Sequence, residues 1–177
     1  MRIVSGRLKG RRFSPPGSFK ARPTTDQARE NLFNILANKI DFEEQRVLDL
    51  FSGTGAMSYE FASRGSKDIT CVEKNHAHFT FIKKTASALE ISSGFHVVKG
   101  DVFKFITRDT NHYTLVFADP PFDLPRLSNL PDMVMKAGIL APGGLFILEH
   151  GPDQNFENFP FFVETRRYGK VNFSFFE

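Results

Sequence analysis

From residue 46 onward, short apolar runs alternate with helix-patterned stretches, and only brief links join them. No other feature restricts this chain as much, because such alternation calls for a parallel sheet covered by helices on both faces. Strands are expected at residues 46–51, 67–73, 95–99, 115–118 and 145–149. The first helix of this region follows the Ser52-Gly53-Thr54-Gly55-Ala56 turn. The second should bury Phe79, Ile82, Ala86 and Leu89, and a later one takes Pro131 in its first turn and ends near Gly138. Residues 140–144 read as a turn. Residues 161–168 and 170–176 read as an antiparallel hairpin about Gly169, with Val171, Phe173 and Phe175 filling one sheet face. Right-handed crossovers leave few arrangements of this order. The expected fold is α/β: a doubly wound, mostly parallel, Rossmann-like sheet closed by an antiparallel C-terminal hairpin.

Ahead of this region lies a segment of different character. Arg2-Ile3-Val4-Ser5 and Arg11-Arg12-Phe13-Ser14 flank a glycine-bounded connection and suggest a small hairpin. Thr24 with Gln27 three residues on fits a capping box. The helix it opens carries Ala28, Leu32, Ile35 and Leu36 on one face, while Arg29 and Asn31 fall off that stripe, either solvated or facing a ligand. Residues 1–24 are therefore read as a basic N-terminal hairpin arm and residues 25–177 as the main domain. Seven cations and no acid fall within the first 22 residues, so the net charge of +3 leaves about −4 on the rest. A basic arm beside an acidic body points to a polyanionic partner, with Arg2, Arg7, Lys9, Arg11, Arg12 and Arg22 as its contacts.

A chain of 177 residues with 41% hydrophobic content supports one proper core. No apolar run approaches membrane-spanning length and no signal region follows Met1-Arg2, so a cytoplasmic protein with no membrane contact is expected. The single cysteine, Cys71, has no partner for an internal disulfide and reads as a small core residue. The five histidines form no metal-ligand pattern, and no metal site is expected.

Chemistry gathers at the strand ends. Asp49 lies on the first strand, just ahead of the Gly53-x-Gly55 turn, where glycines let the backbone approach a ligand. Glu73 ends the second strand, placed to accept both hydroxyls of a ribose. Asp101 follows the third, placed to accept from an adenine amino group. Ser58 stands where a dinucleotide fingerprint needs its third glycine, and no phosphate-cradling Gly-Lys-Ser/Thr is present. An acid just ahead of the turn suits an ammonium or sulfonium rather than a pyrophosphate. Those needs together describe S-adenosylmethionine. The fourth strand ends in Asp119-Pro120-Pro121-Phe122, a stiff bracket presenting a carboxylate, a carbonyl and a ring, which suits a flat group carrying an amine.

Val47-Leu48-Asp49-Leu50-Phe51-Ser52-Gly53-Thr54-Gly55, Val72-Glu73-Lys74, Gly100-Asp101 and Asp119-Pro120-Pro121-Phe122 resemble the ordered motifs of SAM-dependent amino-group methyltransferases. Met1-Arg2-Ile3-Val4-Ser5-Gly6, Lys9-Gly10-Arg11 and the segment from Arg22-Pro23-Thr24-Thr25-Asp26 to Leu36 look like the RsmD-type enzymes within that class. The resemblance implies methylation of the N2 amine of a guanine in bacterial 16S ribosomal RNA, with the RNA or the small-subunit particle as partner and a monomer as the acting form. It implies a cofactor set of Asp49, Phe51, Gly53, Thr54, Gly55, Glu73, Lys74, Asp101, Val102 and Asp119, and a catalytic set of Asp119, Pro120 and Phe122. Read from the residues alone, adenine N6 in DNA or a protein glutamine suits the same bracket. A non-catalytic RNA-binding module would retain the fold without using the acids.

Overall fold

The computed structural model describes residues 1–17, 19 and 25–177. Seven strands form one sheet: β1 (Arg46–Leu50), β2 (Asp68–Glu73), β3 (Phe95–Lys99), β4 (Tyr113–Ala118), β5 (Leu140–His150), β6 (Phe162–Tyr168) and β7 (Val171–Phe176). Their order across the sheet is β3-β2-β1-β4-β5-β7-β6, parallel from β3 to β5 and antiparallel where β7 joins β5 and β6. The order reverses between β1 and β4. At such a switch point the connections leave in opposite directions and open a crevice beyond the carboxyl ends of the strands.

Successive side chains on each central strand enter opposite layers. Leu115 and Phe117 of β4 join one hydrophobic cluster, and Val116 and Ala118 join the other. The same split divides Leu145 and Ile147 from Phe146 and Leu148, and Phe173 and Phe175 from Phe176. Helices α1 (Asp26–Leu36), α2 (Ala56–Arg64) and α3 (His76–Ala88) cover the first layer, and α4 (Val102–Ile106) and α5 (Leu130–Lys136) the second.

Several local expectations change. The cap of α1 is Thr25, whose Oγ1 accepts from the Ala28 N–H at 3.2 Å, one residue later than expected; Thr24 lies outside the described residues. The expected turn at 140–144 lies inside β5. Tyr113 pairs with Leu140 and Leu115 with Leu145, so the intervening residues bulge out of the ladder rather than precede it. Phe79 is only partly buried, its ring stacked beside His76 while Ile82, Ala86 and Leu89 fill the core. The largest departure is Arg29, which is 1% exposed rather than solvated or turned to a ligand. Its Nη2 donates to the Asp26 carboxylate at 2.8 Å and to the Arg2 carbonyl at 2.7 Å.

The N-terminal segment forms the expected hairpin-like turn, with Arg2 bridging Arg12, and it is built into the body. Ile3, Leu8 and Phe13 are buried in the same cluster as α1 and α2. Gly6 takes φ +78°, and a Cβ there would stand 2.0 Å from the Ser63 carbonyl oxygen. Only glycine allows that approach, which lets the Arg7 N–H reach the same oxygen at 2.8 Å. No helix among the described residues is long and apolar enough to cross a membrane.

Candidate cofactor and substrate site

A cavity of about 690 Å³ opens at the carboxyl edge of the sheet, over the β1/β4 switch point. One wall is the turn after β1. Strand β1 stops at Leu50, and Phe51 bends the chain with a left-handed φ of +61°, a conformation that costs a non-glycine residue energy and recurs at ligand sites. The turn is held from beneath by Glu73, whose Oε2 accepts the Gly53 N–H at 2.8 Å while Oε1 accepts the Asn75 N–H at 2.6 Å. One carboxylate thus ties the glycine turn to the start of α3, and each oxygen has a further lone pair for a ligand hydroxyl.

Asp49 forms the floor of this wall and is 1% exposed. Its carboxylate accepts a hydrogen bond from Ser58, the residue standing in place of a third glycine. Burial pushes the Asp49 carboxyl up to about 7, against the Ser58 hydrogen bond and with added repulsion from Glu73. An acid buried at the floor of a cavity and kept neutral by that burial is poised for a positively charged ligand, which would restore its charge. Without such a ligand, the folded chain holds this proton more tightly than the unfolded one. Stability should therefore fall as pH rises from about 4 toward about 7, by a few kcal/mol at most. Asp49→Asn should flatten that fall in chemical-denaturation curves run across the window.

The far end of the cavity is set by β3 and α4. Asp101 caps α4, its Oδ1 accepting from the Phe103 and Lys104 N–H groups at 3.1 and 3.3 Å, and its Oδ2 pairs with Lys74 Nζ at 3.1 Å. Burial raises the Asp101 carboxyl, but Lys74 and the two backbone donors outweigh it and hold the group below its ordinary value. Asp101 therefore stays ionised as an acceptor. Val102 is buried behind it, and Phe103 faces the cavity with its ring 6.1 Å from that of Phe51.

Opposite the glycine turn stands the bracket. Asp119 continues β4, its N–H reaching the Leu50 carbonyl at 3.4 Å, and its residue is half-buried. Pro120 is buried and Phe122 is 46% exposed. The cavity brings together Asp49, Phe51, Gly53, Thr54, Glu73, Lys74, Asp101 and Val102 with Asp119, Pro120 and Phe122. Gly55 does not line it. Its φ of +80° and a Cβ position 2.7 Å from the Tyr59 ring explain that glycine by packing, while Gly53 meets nothing nearer than 3.9 Å. Asn75, His78 and Phe103 also line the cavity and were not singled out from the sequence. Asn75 had a legible signal, since it caps α3 two residues after Glu73.

Arg7, Lys9, Arg11 and Arg12 are exposed on the N-terminal segment, and Arg11 also donates to the Ala88 carbonyl at 3.1 Å. Arg2 is exposed but pairs with Asp26 at 3.2 Å. Arg22 lies outside the described residues. The segment borders the cavity, for the Thr54 hydroxyl lies 3.7 Å from Met1 Sδ, and the Phe19 ring lies 4.1 Å from that of His78.

Residues 1–177 match the family model described as conserved hypothetical protein 95. Ribosomal RNA small subunit methyltransferase D of Escherichia coli K12 is 33% identical over 149 residues, covering 84% of this chain and 74% of that protein. The protein of the same name from Buchnera aphidicola (subsp. Baizongia pistaciae) is 31% identical, covering 84% and 75%. Among solved structures, the Thermus thermophilus protein TTHA0928 superposes with a TM-score of 0.86 at 29% identity over 100% of this chain and 99% of that one. SMU.776, solved in complex with S-adenosylhomocysteine (SAH), shares the fold with a TM-score of 0.66 at 19% identity, over 85% of this chain and 48% of that chain.

Proposed function

The chain belongs to the RsmD-type methyltransferases, the family described as conserved hypothetical protein 95, and from that membership we propose that it methylates the exocyclic N2 amine of a guanine in 16S ribosomal RNA, using S-adenosylmethionine. The observation that carries this reading is the meeting, across one cavity at the β1/β4 switch point, of an acid-lined glycine turn and the Asp119-Pro120-Pro121-Phe122 bracket. When bound, S-adenosylmethionine supplies a methyl on a sulfonium that is already an activated leaving group. Asp49 faces the positive end of that ligand, Glu73 accepts from its ribose hydroxyls, and Asp101 from its adenine amine.

The protein's further task is alignment, and ideal alignment is worth about 7–11 kcal/mol. A guanine amine is a poor nucleophile because its lone pair is delocalised into the ring. The Asp119 carboxylate and the Pro120 carbonyl each accept one of its N–H bonds, which turns the lone pair toward the methyl and favours pyramidal nitrogen in the transition state. Asp119 or solvent takes the surplus proton. Phe122 stacks on the base, worth about 1–3 kcal/mol by analogy with other base–aromatic contacts. The base reaches this pocket extruded from its helix or loop, and the exposed cations of the N-terminal segment hold the flanking phosphates.

The deciding experiment is transfer of radiolabelled methyl from S-adenosylmethionine to 16S RNA, to small subunits and to genomic DNA, all from a strain lacking the gene. Nucleoside analysis should return the label in N2-methylguanosine. Label in adenine of DNA or in a protein glutamine would replace the guanine assignment. Absence of label together with absence of any S-adenosylmethionine-dependent rise in melting temperature would leave an RNA-binding module.

Two binding predictions accompany this reading. A cation over Asp49 favours the carboxylate, so cofactor affinity measured by calorimetry should rise with pH toward about 7, by up to about tenfold per unit. Asp49→Asn should weaken binding and abolish that slope. Arg11→Glu combined with Arg12→Glu should lower RNA affinity and flatten its salt dependence by roughly 0.7–0.9 for each phosphate left without its cation. Cofactor affinity should stay unchanged, and an unaltered salt slope would remove these residues from the RNA interface.

A further inference from the structure

Phe122 is held from behind by the strand beside it. β4 and β5 pair Ala118 with Leu148, so the bracket beyond Ala118 runs alongside His150 and Gly151. A Cβ on Gly151 would stand 3.1 Å from Phe122 Cδ2 and 3.6 Å from Cγ and Cε2. The ring therefore leans on the bare backbone of Gly151. This glycine is not demanded by its own torsion, since it is not among the residues with positive φ. What its missing side chain serves is the ring.

The position of Gly151 is itself fixed by a buried polar relay that the proposed chemistry does not use. Its carbonyl oxygen lies 2.8 Å from His150 Nδ1 and accepts from Asn172 Nδ2 at 3.4 Å. A carbonyl only accepts, so Nδ1 carries the proton, and Nε2 of a neutral ring must accept. Nε2 lies 2.7 Å from Ser174 Oγ, which donates to it and in turn accepts from Thr165 Oγ1 at 2.7 Å. One proton arrangement satisfies all three groups. Burial, with the charge of Arg167 and against the bond to Gly151, holds the His150 imidazole below its ordinary value and keeps the ring neutral. His150 is 1% exposed and Ser174 fully buried, so the relay tolerates little movement.

We propose that Gly151, locked by the Thr165–Ser174–His150 relay, is the seat that sets the height of the Phe122 ring and with it the width of the slot in which the target base stacks. Gly151 is a positioning residue for the methyl transfer, and its role rests on the reading of Phe122 as the base platform. A methyl at this position displaces an exposed ring by a few tenths of an ångström rather than breaking the core.

The test is a cycle of Gly151→Ala and Phe122→Ala, with turnover on RNA and cofactor binding measured separately. Gly151→Ala should lower kcat/KM for RNA by about 3–10-fold through misplacement of the base, with cofactor affinity within about twofold of wild type. In the Phe122→Ala background the same change should cost less than about twofold, because no ring is left to displace. An equal loss in both backgrounds, or a parallel loss of cofactor affinity, would overturn the seat. A second readout is independent of turnover. The chain has no tryptophan, so Phe122→Trp supplies a single indole that can be excited selectively over the three tyrosines, and adding Gly151→Ala should shift its emission and raise its quenching by acrylamide. Unchanged emission and quenching would equally overturn the proposal. Normal RNA turnover by Phe122→Ala would instead remove the stacking role, while the tryptophan readout would still decide whether Gly151 seats the ring.

Discussion

Asp119→Ala should reduce methyl transfer to RNA by at least about 10²–10³-fold, the usual cost of removing a preorganised hydrogen-bonding partner of a transition state. The carboxylate acts where charge develops on the attacking nitrogen, and neither the Pro120 carbonyl nor Phe122 replaces it. The residue lies at the end of β4, where its backbone N–H reaches Leu50 and its neighbour Pro120 is buried, so truncating the side chain leaves the bracket's backbone in place. Cofactor binding, measured by calorimetry, should change little, because Asp49, Glu73 and Asp101 stand on or just beyond other strands. Phe122→Ala should lose only the stacking energy and so weaken transfer far less. Turnover by Asp119→Ala within about tenfold of wild type would exclude the amine-acceptor role, since that loss is too small for a transition-state partner.

Glu60→Ala should be the most damaging single change to the fold. Glu60 lies on α2, fully buried, and its carboxylate accepts from the Val4 and Ser5 N–H groups at 2.8 and 3.0 Å. Arg64 Nε donates to it at 3.0 Å, and Arg29 Nε lies 3.8 Å away, too far for a hydrogen bond. Removing the carboxylate strands the buried Arg29 beside a neutral hole and deprives two backbone donors of their acceptor. Breaking such a buried arrangement costs about 3–5 kcal/mol, and at about 2–4 °C per kcal/mol for a chain of this size the melting temperature should drop by roughly 10 °C. Amide exchange at Val4 and Ser5 should speed up first, since the N-terminal segment loses its anchor. Glu60→Gln keeps the shape but turns one of two accepting oxygens into a donor, so it separates packing from charge and hydrogen bonding taken together. A melting temperature unchanged in Glu60→Gln would show that the carboxylate's charge and hydrogen bonding together contribute nothing.

Much of this was legible in the sequence for a local reason. Alternation along β1 and β4, the glycine turn, and the acids at Asp49, Glu73, Asp101 and Asp119 are properties of short stretches whose torsions and faces depend on near neighbours. Parallel strands with short links bring their carboxyl ends to one edge, so residues at those ends meet in one cavity without further information. Gly55 marks where that reasoning reaches its limit. Its neighbour Gly53 borders the cavity, but a Cβ on Gly55 would meet the Tyr59 ring one helical turn on and Ile82 of α3 across the layer. The expected turn at 140–144 failed similarly, because glycine and proline mark a bend without saying whether the ladder resumes on the same strand.

The sequence by itself determined the α/β class, the antiparallel close and the cavity-edge acids, because period and strand-end chemistry are written within a few residues of one another. Tertiary structure alone decided what Arg29, Ser58 and Gly151 are for. Arg29 looks like a surface charge until the N-terminal segment folds over it and supplies the Arg2 carbonyl, with Glu60 of α2 close by. Ser58 looks like a failed glycine until Asp49 arrives beneath it. Gly151 looks like a strand end until the register of β4 on β5 brings Phe122 against it. Each of these roles belongs to a pair of surfaces distant in the chain, and burial and register exist only once those surfaces have met.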